Sequence, residues 1–338
     1  MKPQVKSIYY QIKSIISRFI DICRWSIIRV SKIKGYNNKN TFLISSSPRS
    51  GSTWLGEIMM SIPRSCIVFE PLHLRFVPEA KKAGFNWHTY KEEDEEWPEG
   101  KTFLVSAFNG KIINSWTYRE NNMKMALFSK NIIVKCVRAN RLLPWISNNF
   151  KINPPILLMR HPCAVVASQL KSEVWQRGGK PSLPGYLNDY PVFKDVVSRL
   201  DSIEEYLAAI WAMDQLPALM HPTPYPWIII TYEELVFDPK TTFDVLFKRL
   251  NLNIDIEKAL ARIKKPSTVV YKTGISGRDG WKKQLSTEQV EKILSVTKGF
   301  GLHFYDINSF PNLKILHDKK LFSTIKEYGI RKPKNLGN

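Results

Sequence analysis

Five short apolar runs constrain this chain more than any other feature: residues 41–45, 66–69, 132–137, 156–159 and 227–231. Each is rich in Ile, Val, Leu or Phe and too short for an ordinary helix. Between them, apolar residues recur at helical spacing over 54–60, 164–171, 200–219, 240–250, 256–263 and 287–297. Strands that read as continuous apolar runs are buried on both faces. Short strands alternating with helices therefore predict an α/β domain with a parallel sheet covered on both sides. The 338 residues, 43% of them apolar, suffice for one large domain or two small ones. The longest unbroken apolar run, 206–213, is far below the about 18 residues of a membrane-spanning helix. No apolar signal-peptide core is expected at the N-terminus.

The net charge of +20 is unevenly spread. Residues 1–40 hold nine basic residues against one acid, and residues 312–338 hold seven against two. The centre is only moderately basic, which suits a small polyanionic ligand and does not call for nucleic acid. In the N-terminal arm, Val5, Ile8, Ile12, Ile15, Ile16, Phe19, Ile22, Val30 and Ile33 fall on one arc of a helix, with Lys and Arg on the other side. Such a basic amphipathic helix can lie on an anionic membrane surface, with residues 1–34 as the contact; the alternative is packing on the body or on a second subunit. The expected organisation is a helical arm and linker over 1–40, the main domain over 41–310 and a basic tail over 311–338. Cys23, Cys66, Cys136 and Cys163 show no CxxC pair and no zinc spacing, so buried free thiols in a reducing compartment are expected.

The chemistry concentrates where the first strand runs into Ser47-Pro-Arg-Ser-Gly-Ser-Thr53 and then into a helical pattern. A tight loop between a strand and a helix N-terminus aims backbone N–H groups at one spot, and the helix dipole adds positive potential. Gly51 lets the backbone approach an anion closely. Ser50, Ser52 and Thr53 add hydroxyl donors and Arg49 a fixed fork of them. This is not the GxxxxGK[ST] nucleotide loop, and the strands at 132–137 and 156–159 run into Arg138 and Arg160, not into an Asp that would hold magnesium. A second element, residues 156–169, puts Arg160 at the C-terminal end of a strand, where open α/β sheets bind ligands. Ser168 lies two helical turns further on and can face the same place. Together the two elements offer two anion sites on one sheet edge.

These elements resemble the sulfotransferases that use 3′-phosphoadenosine-5′-phosphosulfate (PAPS). The first loop resembles the family's 5′-phosphosulfate loop, and the Arg160 to Ser168 stretch its 3′-phosphate element. Residues 227–239 and 280–286 match further segments, so the resemblance spans about residues 40–306. Phe69-Glu70-Pro71-Leu72-His73, with Leu55-Gly56-Glu57, is similar to the carbohydrate branch, in a bacterial-type form. The Arg-Lys-Gly triplet of cytosolic members is absent; Lys272 and Arg278 stand nearby as candidates for the 3′-phosphate.

The resemblance implies a P-loop-like parallel sheet flanked by helices, and in-line sulfuryl transfer from PAPS with PAP as product and no metal. It implies that Arg49 neutralises charge on the departing phosphate and that Ser50, Gly51, Ser52 and Thr53 hold the rest. Trp54 is then placed near the adenine, and Arg160 with Ser168 on the 3′-phosphate. Glu70 is the first candidate for the base and His73 its rival. Segments 74–130 and 175–192 lie where this family builds acceptor sites; they carry Phe85, Trp87, His88, Tyr90, Trp97, Trp116, Tyr118, Trp175 and Tyr186. Aromatic faces edged with polar groups suit sugar rings, so a glycan or glycolipid acceptor is expected. A lipid, phenolic or protein-tyrosine acceptor, or a PAP-binding or scaffold protein without turnover, are the alternatives. The expected location is cytoplasmic, peripheral to a membrane.

Overall fold

The computed structural model describes residues 3–33, 38–172, 180–181, 183–263 and 279–318. Five strands, β1 (Thr41–Ser46), β2 (Ser65–Phe69), β3 (Asn131–Cys136), β4 (Ile156–Met159) and β5 (Ile228–Thr231), form one sheet in the order β2-β3-β1-β4-β5. Every pairing is parallel. The expected α/β class with a helix-flanked parallel sheet is what the chain adopts.

The sheet is dry on both sides, which is why its strands read as unbroken apolar runs. Leu43, Val68, Val134 and Leu157 point to one face, under α3 (Pro162–Leu170), α4 (Ile203–Leu219) and α5 (Thr287–Gly299). Ile44, Ile67, Ile133 and Leu158 point to the other, under α2 (Ser52–Met59) and the helix Pro239–Arg249. Each such side chain contributes roughly 1.5–3 kcal/mol by leaving water. The weakly periodic stretch 74–130 holds three short helices, Pro78–Lys82, Pro98–Phe108 and Met123–Phe128, and Phe103, Leu104 and Phe108 of the second pack into the core. Packing at the other end runs past residue 310: Leu316 is fully buried.

The arm forms α1 (Pro3–Ser31). It meets the body through the face opposite its apolar arc. Ile28 is fully buried, Trp25 packs against the core, and Lys32 donates to the Ser129 hydroxyl at 2.9 Å. Arg24 and Arg29 donate to the carbonyls of Asn121 and Ile113 at 3.3 and 3.1 Å. Of the alternatives for the stripe, packing on the protein's own body is thus not adopted over the described part. Cys66, Cys136 and Cys163 are buried free thiols, and Cys23, on α1, is exposed.

All five strands end on one edge of the sheet. The residues that follow them are Ser47, Glu70, Val137, Arg160 and Tyr232. The strand order reverses about β1, so the crevice above β1 is where a sheet of this kind binds its ligand.

Candidate active site

Backbone strain marks this edge first. Four non-glycine residues among those described have positive φ, and two of them are Arg49 (76°) and Glu70 (45°). A left-handed bulky residue costs about 1–3 kcal/mol and persists only where the surroundings over-determine it. Gly51, at φ 95°, caps α2. The loop closes with a bond from Ser50 N–H to the Ser47 carbonyl at 3.2 Å. The first N–H groups of α2, on Ser52, Thr53 and Trp54, have no intrahelical acceptor and face the same mouth. The Ser50 hydroxyl is buried there without a hydrogen-bond partner among the described residues. A buried donor in that state is costly unless a ligand satisfies it.

The second element closes on the first. Arg49 Nε donates to Ser168 Oγ at 2.9 Å, and Arg160 donates to the Arg49 carbonyl at 3.1 Å. The two expected anion sites therefore form one continuous cluster. Burial, then the nearby Arg160 charge, hold the Arg49 pKa below its ordinary value. Two guanidiniums brought together in this way favour a ligand with more than one negative charge. The Arg49 and Arg160 forks, the partnerless Ser50 hydroxyl and the bare Gly51 fit the bisphosphorylated nucleotide that the resemblance implies.

Tyr232, at the end of β5, was not singled out in the sequence. Its ring lies 5.6 Å from that of Trp54, and the Arg160 guanidinium sits 4.2 Å above it. A Cβ on Gly51 would come within 2.7 Å of it. Trp54 and Tyr232 thus offer an aromatic corner beside the cations. Lys272 and Arg278 lie outside the described residues, as does Trp175.

Glu70 is buried and both of its oxygens are engaged. Oε1 accepts from the ammonium of Lys135, and Oε2 from the Val137 N–H at 3.0 Å. The pair is almost fully shielded, with side-chain exposures of 6% and 5%. Lys135, like Tyr232, joins this edge without having been marked by any motif. A lysine inside an apolar strand is its signal, because a buried ammonium needs a partner.

Beside this edge lies a cavity of about 650 Å³. Pro48 of the loop and Val137 at the end of β3 border it. Its aromatic wall is Trp87, Trp116, Phe76 and Tyr186; Arg75, Arg138, His73 and His88 add polar edges. Of the expected acceptor aromatics, Trp87, His88, Trp116 and Tyr186 line it, whereas Phe85 and Tyr118 are core and Trp97 packs against Phe85 and Trp145. His73 is ringed by Phe76, Trp87 and Trp116, with centroids at 4.7, 5.3 and 4.8 Å. Burial lowers its pKa more than the nearby Glu70 charge raises it. Its Nδ1 has no hydrogen-bond partner among the described residues.

Asp214, from α4, also reaches the cavity. Tyr186 donates to it at 3.0 Å and Ser47 at 3.5 Å, and burial pushes its pKa up to about 6. Gln215 donates to Ser47 Oγ at 2.6 Å, and the Asn140 amide donates to Gln215 at 3.3 Å. This network ties the anion loop to the cavity wall. The sequence signal for Asp214 was a lone acid directly after the longest apolar run, 206–213.

No protein-family model and no curated protein matches the chain. Among solved structures, the chain is similar to the sulfotransferase domain of the Synechococcus PCC 7002 olefin synthase, at 20% identity and a TM-score of 0.43 over 81% of this chain and 97% of that one. It is similar to a mouse sulfotransferase solved with PAP, at 13% identity and a TM-score of 0.42 over 89% and 93%. A third is the sulfotransferase domain from the curacin biosynthetic pathway, at 19% identity and a TM-score of 0.40 over 75% and 95%. These likenesses are remote, so what the site can do rests on its own residues and geometry.

Proposed function

We propose that the protein is a PAPS-dependent sulfotransferase acting on a hydroxyl or amine of a carbohydrate or glycolipid. The observation that carries the reading is the meeting of Arg49, Arg160 and Ser168 above β1, next to a helix N-terminus and a partnerless Ser50 hydroxyl. Arg160 and Ser168 grip the 3′-phosphate, which separates PAPS from ATP. Arg49 and the N–H groups of Ser50 to Thr53 hold the 5′-phosphate and take up the charge that grows on it. Trp54 and Tyr232 flank the adenine.

The acceptor sits in the adjoining cavity, where Trp87 and Trp116 suit the apolar face of a sugar ring. As the acceptor oxygen bonds to sulfur, the bond between sulfur and the 5′-phosphate oxygen breaks, and the acceptor proton passes to the base. Glu70 takes that role, with Lys135 holding its carboxylate in place; His73 positions the acceptor and is the alternative base. Arg75 and Arg138 at the same wall favour an acceptor that already carries negative charge.

Calorimetric titration with PAP, with ATP and ADP as controls, tests the donor site. PAP is expected to bind and the controls to bind weakly. Arg160→Ala and Ser168→Ala should each lower PAP affinity roughly 10- to 100-fold, the usual worth of a hydrogen bond to a charged group. Folded protein that ignores PAP overturns the reading.

A further inference from the structure

α1 carries its apolar arc away from the body. Over the described part, Ile12, Ile15, Ile16, Phe19, Ile22 and Val30 are all more than half exposed, with Phe19 at 65% and Val30 at 66%. The side that touches the body is the opposite one, where Ile28 and Trp25 pack on the core and Lys32, Arg24 and Arg29 donate hydrogen bonds. An amphipathic helix ordinarily does the reverse, since its apolar stripe is the part that gains by leaving water. A stripe held outward by docking through the opposite face is an unpartnered surface that runs about 30 Å along the helix at 1.5 Å per residue.

Charge selects its occupant. Residues 1–40 carry nine basic residues against the single acid Asp21; Arg24, Arg29 and Lys32 are bonded to the body, which leaves at most six for an outside partner. Packing two copies of this helix together would set like charge against like. An anionic phospholipid surface instead neutralises the flanks while the apolar arc enters the interface. Among the described residues no helix is long and apolar enough to cross a membrane. We propose that α1 lies in the plane of an anionic phospholipid bilayer, apolar arc inward, with the body riding on its opposite face. This does not depend on the reading of the active site.

The test is co-sedimentation of the full chain with vesicles of phosphatidylcholine alone or mixed with phosphatidylserine. Binding is expected with phosphatidylserine, falling with added salt as screening sets in. Ile15→Asp with Phe19→Asp, both on the exposed arc, should weaken it by at least about tenfold, because a charge must then enter the interface. The melting temperature should change little, since both side chains are about two-thirds exposed. Equal sedimentation of wild type and double variant overturns the proposal. So does light scattering that shows a dimer, twice 39.2 kDa, which the double variant dissociates.

Discussion

Glu70 and Arg49 are the residues where the backbone itself is bent to a purpose. Both are at positive φ, and both put a charged side chain on the same sheet edge. If Glu70 is the base, Glu70→Gln should lower kcat about 10²- to 10⁴-fold, the usual worth of a positioned base. PAP affinity should stay within about threefold, since Glu70 is assigned no phosphate contact and a change of that size is under about 1 kcal/mol. The substitution leaves Lys135 buried beside a neutral amide, so the melting temperature of the variant must be measured alongside. Turnover near that of wild type in folded protein would move the base role to His73.

At the scale of the element, the strand-loop-helix unit of β1 and α2 depends on one glycine. Gly51 has a φ of 95°, and Tyr232 fills the space where a Cβ would go. Gly51→Ala should therefore destabilise the protein by about 1–3 kcal/mol from backbone strain alone. Displacing Tyr232 should also loosen the ring under Arg160. The expected outcome is a lowered melting temperature together with a loss of PAP affinity. A variant that melts earlier but binds PAP as tightly as wild type would show that the loop tolerates the shift. The loop was legible in the sequence because its parts are contiguous: an apolar run, small polar residues with one Gly, then helical spacing. α1 was legible for the same reason, since helical spacing along a single segment shows its apolar arc.

At the scale of the molecule, four titratable groups, Glu233 and His161 in the core and Asp214 and His88 at the cavity wall, balance one another. Burial raises the Glu233 carboxyl to about 7 and Asp214 to about 6, and lowers His161 and His88 to about 4. A carboxyl raised by folding holds more protons in the folded state, so it lowers stability as pH climbs toward its folded pKa. A histidine lowered by folding does the opposite between its folded value and the ordinary 6.5. Between pH 5 and about 6.5 the two effects oppose, and the melting temperature should vary little. Glu233 accepts from the His161 N–H at 3.0 Å and the Tyr305 hydroxyl at 2.8 Å. Glu233→Gln removes one of the two raised carboxyls and leaves Asp214. Its melting temperature should gain on that of wild type as pH rises from about 5 to about 7; a constant gap would contradict the buried, raised carboxyl. The five strands, their burial on both faces, the small-residue loop, Arg160 with Ser168 and the amphipathic arm can be read from the chain alone. Each of these is written in local periodicity or in a short contiguous motif. That Arg49 bonds Ser168, that Lys135 pairs with Glu70, and that Tyr232 and Asp214 lie beside them follows from the folded arrangement. The folded arrangement also decided which face of α1 looks outward. Those facts depend on which strands are neighbours, and a sheet order of β2-β3-β1-β4-β5 brings together residues more than a hundred positions apart. Local spacing carries no record of that order, because it is set by how two apolar faces are best covered at once.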